Sequence, residues 1–193
     1  MAYNDLLKVY WITPLRTASR SCGPILQHFE FTLNDHDLKI PQEKIHYYHI
    51  CNVRNPYSRL VSLYKLFVHN RKHLNINFEE WIDGVFNDGF ENYNNQVELD
   101  LLLSKPIDKM VRTEYLENDL KEIYFVKENL EELSNIFENN IKTNEYCDEF
   151  KEIDNKKWYS FYNLSIADKV FKKLEKQFEL FNYNRNYWKD GTP

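Results

Sequence analysis

The hydrophobic positions along the chain predict strands that alternate with helices. Residues 7–12 (LKVYWI) form a short apolar run with high β-propensity, and Pro14 ends it because proline has no N–H for a sheet. An apolar helical segment follows over residues 25–29. Two further runs, residues 45–53 (IHYYHICNV) and 107–112 (IDKMVR), are also typical of strands. Strands separated by helical segments favour a parallel α/β sheet.

The helical segments carry their own start signals. Asn55 suits an N-cap and Pro56 the first helical turn, ahead of apolar residues at helical spacing over 57–68. Asn77 and Glu80 predict a capping box. Further helices are predicted over residues 78–86, 97–103, 116–123, 127–139 and about 165–181, with residues 147–157 as an exposed charged loop. The expected architecture is one domain over residues 1–193, an α/β fold with a small parallel sheet flanked by helices.

Composition narrows the function classes. A net charge of −5 and a pI near 5.7 argue against a general nucleic-acid binder, which would normally be basic. The three cysteines, Cys22, Cys51 and Cys147, cannot form a full disulfide framework and lack metal-type spacing. Cys22 and Cys51 have apolar neighbours, so buried free thiols are predicted. No apolar run approaches the ~18 residues of a membrane span, and no secretory pattern is present. We expect a soluble, cytoplasmic chain without a membrane partner.

Polar loops follow the first two predicted strands. Residues 16–21 (RTASRS) open a helix with small hydroxyl side chains, which leaves backbone N–H groups available to an anion beside two arginines. Arg54 ends the second strand, and Ser62 lies eight residues further on. Two such junctions in a parallel sheet lie on the same edge, so a ligand with two separated phosphates would fit. The GxxxxGK[ST] loop is absent, which disfavours a standard P-loop nucleotidase, and no Asp-rich cluster suggests a Mg²⁺ site.

These loops resemble a known family. The segments PLRTASRS (residues 14–21) and CNVRNPYSRLVSLY (residues 51–64) look like the two donor-binding motifs of the sulfotransferases that use 3′-phosphoadenosine 5′-phosphosulfate (PAPS). The likeness is closest to the carbohydrate branch, which includes the heparan sulfate uronosyl sulfotransferases. It extends over nearly the whole chain, through FEEWI (residues 78–82), the Asn/Gln segment 92–96, VRTEYLENDL (residues 111–120) and FELFNY (residues 178–183). The resemblance implies a P-loop-like sulfotransferase fold.

The resemblance also implies how the donor is bound. Arg16 occupies the position of the basic residue that contacts the oxygen between the sulfuryl group and the 5′-phosphate. Many family members carry Lys there, and the tyrosylprotein sulfotransferases carry Arg. Arg20 stands where Thr is commoner. The 5′-phosphate would be cradled by N–H groups and hydroxyls of Thr17, Ala18, Ser19, Arg20 and Ser21. The 3′-phosphate would be held by Arg54 and Ser62, with Thr113 near the adenine and Lys156 and Lys157 closing over the 3′-phosphate.

Relatives carry a His, Glu or Asp base between the two donor motifs. The resemblance therefore directs attention to Asp35, His36 and Asp37. His36 has the most suitable unperturbed pKa, and Asp37 has about the spacing of a Glu base in some relatives. Other candidates are His28, Glu30, Glu43, His46 and His49, of which the last two are expected to be packed histidines inside a strand.

The implied activity is metal-free transfer of a sulfuryl group to a hydroxyl acceptor. The likeness of the motifs to the carbohydrate branch favours a glycan as the acceptor, and tyrosine and small alcohols are the alternatives. Positioning and charge stabilisation dominate such an in-line displacement. Two alternatives remain: a nucleotide-binding protein that has lost catalysis, and a phosphotransferase of the nucleotide-kinase kind. The oligomeric state is not predicted.

Overall fold

The computed structural model describes residues 1–33, 40–70, 76–87, 107–139 and 157–191. They belong to two compact units. The first comprises residues 1–54 and 100–145, and the second residues 55–99 and 146–193. The single domain expected from the sequence stays a prediction. The elements are β1 (Ala2–Asn4), β2 (Val9–Ile12), α1 (Ser19–His28), β3 (Thr32–Leu33), β4 (Tyr48–Val53), α2 (Pro56–Asn70), α3 (Phe78–Phe86), β5 (Lys109–Arg112), α4 (Leu116–Lys121), α5 (Tyr124–Lys127), α6 (Leu130–Asn139) and α7 (Leu164–Leu180).

The first unit contains a five-stranded sheet in the order β3-β1-β2-β4-β5. β2, β4 and β5 are parallel, as the sequence predicts, with Trp11 opposite Ile50 and Val53 opposite Arg112. β1 pairs antiparallel with β2 on one side and with β3 on the other. The prediction of a parallel sheet is therefore wrong for two strands, and the sheet is mixed. β1 and β3 span only three and two residues, too few to show a periodic pattern.

One face of this sheet carries the apolar core of the first unit. Side chains alternate along a strand, so Val9 and Trp11 on β2 point to the same face and meet Ile50 on β4 and Val111 on β5. Helix α1 packs there, and α4, α5 and α6 complete the cluster. The buried residues that join it from the helices are Cys22, Ile25, Leu26, Leu116, Leu120, Phe125, Val126, Leu133 and Phe137. The sheet and the helices packed on it thus form an α/β fold, and the loops that follow β2, β4 and β5 lie at one edge of the sheet.

The second unit is helical over its described residues and is held by aromatic packing. Tyr57 on α2 contacts Phe178 on α7, with ring centroids 4.8 Å apart, and Tyr162, with centroids 5.0 Å apart. Tyr64 on α2 packs on Trp81 of α3, with centroids 5.7 Å apart. Apolar positions of α7 lie inward: Ile166, Val170, Leu174, Phe178 and the following Phe181 are buried, as predicted.

Local capping signals are confirmed. The side-chain oxygen of Asn55 accepts from the N–H of Tyr57 over 2.9 Å, and Pro56 is the first residue of α2. Asn77 and Glu80 form both bonds of a capping box at the start of α3. Among the described helices none is long and apolar enough to cross a membrane.

Some predicted boundaries change. The strand predicted from residue 45 begins at Tyr48, because residues 42–44 form a 3-10 turn and Ile45 is helical in conformation. The helix predicted over 127–139 is α6 alone, preceded by the separate short helix α5. The predictions for residues 97–103 and for 147–156 lie outside the described residues.

Candidate functional site

The loop between β2 and α1 has a constrained backbone. Thr13 and Pro14 are buried as the chain leaves the sheet, and Arg16 and Ala18 both have left-handed conformations, with φ of 67° and 61°. A residue with a Cβ pays about 1–2 kcal/mol for such a conformation. Backbone strain of this kind persists only where surrounding contacts hold it, and it is common at ligand sites.

Helix α1 begins without a side-chain cap. Ala18 is its N-cap residue and has no side chain that can accept from the first turn, which also lacks acidic residues. The first helical bond runs from the N–H of Cys22 to the carbonyl oxygen of Ala18 over 3.1 Å. The N–H groups of residues 19–21 precede that bond and have no acceptor within the helix. With the positive end of the helix dipole, they favour an anion.

Thr17 lies beneath this loop. Its side chain is fully buried. The Thr17 hydroxyl donates to the carbonyl oxygen of Pro14 over 2.6 Å, and its N–H approaches the same oxygen at 3.3 Å. Both hydrogen-bond donors of Thr17 are therefore used within the loop. The role the resemblance implies for Thr17, a donor to the 5′-phosphate, stays a prediction, while the structural contribution of Thr17 is to close the turn.

Asn52 connects the loop to the sheet. It lies on β4 and its side chain is fully buried. Its amide nitrogen donates to the carbonyl oxygen of Thr17 over 2.8 Å and to the sulfur of Cys22 over 3.2 Å. Its amide oxygen accepts from the indole N–H of Trp11 over 2.8 Å. Sequence reasoning missed Asn52, because only the fold brings residues 11, 17, 22 and 52 together.

The thiols of the first unit are buried. Cys22 and Cys51 are free and inaccessible, as predicted. Burial raises the pKa of the Cys22 thiol to about 12, while the hydrogen bond from Asn52 acts in the opposite direction. Cys22 is thus a packing residue and a hydrogen-bond acceptor, with no nucleophilic character near neutral pH. Cys147 lies outside the described residues.

Arg54 joins the ends of β2 and β4. It follows Val53 directly, is half-buried, and donates from Nη1 to the carbonyl oxygen of Arg16, with 3.4 Å between the two atoms. At the end of β5, the hydroxyl of Thr113 donates to the carbonyl oxygen of Val53 over 3.0 Å. Three of the predicted site residues, Arg16, Arg54 and Thr113, therefore share the carboxyl edge of the parallel strands.

A third guanidinium at this edge was not predicted. Arg112, the last residue of β5, donates from Nε and Nη2 to the buried carboxylate of Asp119 over 2.8 Å and 2.6 Å. Its backbone N–H donates to the same carboxylate over 2.7 Å. The guanidinium also lies 4.6 Å from the ring centroid of Tyr115. The residue spacing in the sequence did not indicate a role for the Arg112 guanidinium, because its orientation depends on the position of α4 relative to β5.

The remaining predicted donor residues differ in their surroundings. Ser62 belongs to the second unit, where it is buried within α2. Lys157 is exposed, with its Nζ 5.7 Å from the ring centroid of Tyr159, and Lys156 lies outside the described residues. Ser19 and Ser21 are half-buried in the first turn of α1, and Arg20 there is exposed.

The preferred base candidates Asp35, His36 and Asp37 lie outside the described residues. His49 is buried in β4, and its Nε2 donates to the carbonyl oxygen of Lys44 over 3.1 Å, so the prediction of a packed histidine is confirmed. For His46 that prediction is wrong: the residue is exposed and precedes β4, because the strand starts at Tyr48.

The remaining base candidates are on the surface of the first unit. The His28 imidazole lies 3.7 Å from the carboxylate of Glu132 and packs edge-on against Phe29. Glu30 and Glu43 are exposed. Within the described ranges, no group of three or more His, Cys, Asp and Glu side chains is arranged to hold a metal ion.

No protein-family model matches this chain, and searches of curated proteins and of solved structures found no significant match.

Proposed function

We propose that the chain is a sulfotransferase that moves a sulfuryl group from PAPS to a hydroxyl acceptor. The observation that carries the proposal is the hydrogen bond between Arg54 and Arg16 at the ends of two paired parallel strands, beside the uncapped start of α1. A nucleotide whose two phosphate groups are well separated has the charge distribution that such an edge attracts. The finer assignment to a P-loop-like sulfotransferase fold is part of this proposal.

The 5′-phosphate binds at the start of α1. The N–H groups of residues 19–21 and the hydroxyls of Ser19 and Ser21 donate to its oxygens, and Arg20 adds positive charge. Ala18 leaves the helix N-terminus open, and Thr17 holds the turn beneath it. A phosphate at this position supplies the acceptor that the side chain of the N-cap residue Ala18 cannot, which supports the assignment.

The 3′-phosphate is assigned to Arg54, while the contribution that the resemblance implies for Ser62 stays a prediction. A guanidinium group offers two parallel N–H donors to phosphate oxygens, which makes Arg54 the main contributor to this contact. Thr113 is assigned to the adenine, and the roles that the resemblance implies for Lys156 and Lys157 stay predictions. Each of these side chains is charged or polar, as a nucleotide with several anionic groups requires.

Arg16 stabilises the transition state. Sulfuryl transfer forms a bond between the acceptor oxygen and sulfur and breaks the bond from sulfur to the oxygen that bridges to the 5′-phosphate. The bonding electron pair stays on that bridging oxygen, so negative charge grows there as the reaction proceeds. A fixed guanidinium lowers the barrier because it acts more strongly on the transition state than on the bound donor.

The acceptor hydroxyl loses its proton to a base in the same step. We assign this role to one of Asp35, His36 and Asp37, since a carboxylate or imidazole positioned at the acceptor oxygen can take the proton. A glycan is the favoured acceptor, and tyrosine and small alcohols are the alternatives. The chemistry requires no metal ion, because donor positioning and charge stabilisation supply the main effects.

Thermal unfolding with two isomeric nucleotides tests the donor site. 3′-Phosphoadenosine 5′-phosphate (PAP) has its phosphates separated, whereas ADP carries both at the 5′ position. At a concentration 100 times its Kd, PAP should stabilise the fold by about 2.7 kcal/mol, which for this chain length corresponds to a rise in Tm of about 5–10 °C. ADP and ATP with Mg²⁺ should change Tm little, and absence of a PAP shift would contradict the proposal.

An acceptor screen with radiolabelled PAPS separates the enzyme from its alternatives. Transfer of label to a glycan, a tyrosine peptide or a small alcohol identifies the acceptor class. Binding of PAP without transfer to any of them would favour the nucleotide-binding protein that has lost catalysis. A larger shift with ATP and Mg²⁺ than with PAP would favour the phosphotransferase.

A further inference from the structure

Asn52 is an amide inside an apolar core. On β4 its side chain points to the sheet face that also carries Ile50, because the two residues are two positions apart. Trp11 and Val111 lie on that face, Cys22 of α1 packs against it, and Asn52 itself has no exposed surface. A buried amide is unfavourable unless its donors and acceptor find partners, so its presence in this core requires an explanation.

The bonds of Asn52 define which end of the amide faces which partner. The indole N–H of Trp11 can only donate, so the atom 2.8 Å from it is the amide oxygen. The carbonyl oxygen of Thr17 can only accept, so the atom 2.8 Å from it is the amide nitrogen. The second amide proton is directed to the sulfur of Cys22 at 3.2 Å. A flipped amide would oppose donor to donor and acceptor to acceptor.

These bonds immobilise Thr17, which lies between the two strained positions of the loop. Thr17 is held at its carbonyl oxygen by Asn52 and at its hydroxyl and N–H by Pro14. Its neighbours Arg16 and Ala18 are the left-handed residues. Strained conformations persist only where other contacts over-determine them, and the bond from Asn52 is a contact to the loop from the neighbouring strand.

The bond to Thr17 satisfies a buried donor of Asn52 and at the same time holds the carbonyl oxygen of a residue in the loop. We propose that Asn52 is a positioning residue of the donor site, which fixes the loop so that Arg16 and the open N–H groups of α1 face a phosphate. Its effect on donor binding rests on the proposed function, whereas its effect on the loop does not.

A matched pair of variants isolates the bond to Thr17. Trp11→Phe removes the indole bond and keeps the contact between Asn52 and Thr17. Trp11→Phe with Asn52→Leu removes both and leaves no indole N–H without an acceptor. Because the two proteins share the smaller ring at position 11, their comparison reports the loss of the amide.

Two measurements are made on each protein. Amide hydrogen exchange of residues 15–18 should be at least tenfold faster in the double variant than in Trp11→Phe, with unchanged exchange in β5 as the internal reference. The Kd of PAP, measured by calorimetry well below either Tm, should be at least tenfold weaker in the double variant. If Asn52 had only a structural role, the double variant would have a lower Tm, but loop exchange and the Kd of PAP would be the same in both variants.

The outcomes separate the two proposals. If the unsubstituted protein does not bind PAP, the proposed function fails, and the exchange of residues 15–18 still decides the role of Asn52. If PAP binds equally well to both variants and loop exchange is the same, the inference is wrong while the proposed function stands.

A measurement on the unsubstituted protein applies even if the double variant does not fold. The side-chain NH₂ protons of Asn52 should exchange with solvent at least 100-fold more slowly than those of the exposed Asn118. Equal rates would mean that the amide does not hold Thr17, and would overturn the inference.

Discussion

The guanidinium group of Arg54 donates a hydrogen bond to the main-chain carbonyl oxygen of Arg16, with 3.4 Å between the two atoms. The bond connects the residue that follows one parallel strand to the loop that follows its neighbour. Arg54 therefore has a second contact besides the phosphate assigned to it, and the loop with Arg16 depends on the end of β4. The loop that carries Arg16 and the residue that follows β4 are thus joined at the sheet edge.

Arg16→Ala should lower turnover by roughly 10²–10³-fold, by analogy with the loss of one transition-state donor. Arg16→Lys should retain more activity, because the cation remains near the bridging oxygen. The measurement is the initial rate of label transfer from PAPS at saturating donor. Lys127→Ala, which removes an exposed cation on another helix of the same unit, is the matched control and should keep full activity. Unchanged turnover in Arg16→Ala would refute the role assigned to Arg16.

Arg54→Ala should mainly weaken donor affinity. The 3′-phosphate loses its paired N–H donors, so the Kd of PAP should rise at least tenfold, while turnover at saturating PAPS should fall less than in Arg16→Ala. Arg54→Lys keeps the charge but not the planar fork, and should give an intermediate Kd. Calorimetric titration with PAP and with ADP provides the measurement. A Kd for PAP equal to that of the unsubstituted protein would exclude Arg54 from the 3′-phosphate site.

Cys22 should resist thiol reagents in the folded protein. Its side chain is buried and its pKa is raised to about 12, so the thiolate that reacts is scarce at pH 8. We expect iodoacetamide to modify Cys22 at least 100-fold more slowly than in urea, as read by mass spectrometry of the peptides. Because the folded-state pKa lies above the unfolded value, this thiol favours folding fully below about pH 9, and its contribution falls at higher pH. Rapid labelling at pH 8 would contradict the buried network with Asn52.

The second unit should lose stability in alkali. Burial raises the pKa of both Tyr57 and Tyr162, whose hydroxyls donate to the carbonyl oxygens of Arg185 and Tyr57 over 2.9 Å each. Since the folded pKa values exceed the unfolded value of about 10, their contribution is complete below pH 10 and declines above it. The free energy of unfolding should then fall by up to about 1.4 kcal/mol per pH unit for each group.

Tyr162→Phe tests this expectation by removing one of the two groups. The variant should be less stable near neutral pH, by about 1 kcal/mol for the lost hydrogen bond, and should show a shallower decline above pH 10. Urea unfolding between pH 8 and 11 gives both quantities. Tyr159→Phe, a half-buried ring three residues earlier in the chain, is the control. Parallel pH curves for Tyr162→Phe and the unsubstituted protein would show that Tyr162 does not cause the alkaline loss.

Signals that act within a few residues could be predicted from the sequence. The caps at Asn55 and Asn77, the three parallel strands and the apolar face of α7 depend on local spacing, and the structure confirms them. Contacts between distant residues could not be predicted in this way. The Asn52 network and the pairing of Arg112 with Asp119 require the sheet register and helix packing to be known.

The same distinction applies to the candidate site. Arg16, Arg54 and Thr113 follow or lie near predicted strand ends, and parallel strands bring such ends to one edge. The backbone conformation of the loop could not be predicted from the sequence. The N-cap residue is Ala18, which has no capping side chain, and the Thr17 hydroxyl bonds within the loop, whereas hydroxyl side chains were expected to face an anion. The choice among Asp35, His36 and Asp37 stays a prediction.

β1 pairs with β2, the strand before the Arg16 loop, on the side opposite β4. Ala2 lies opposite Trp11 and Asn4 opposite Val9, and the sulfur of Met1 accepts a hydrogen bond from the Tyr10 hydroxyl. Removal of residues 1–6 would leave the N–H and C=O groups of β2 unpaired and ready to add a strand from another molecule. Residues 1–6 thus prevent the addition of a strand from another molecule, and a protein that lacks them should self-associate through β2.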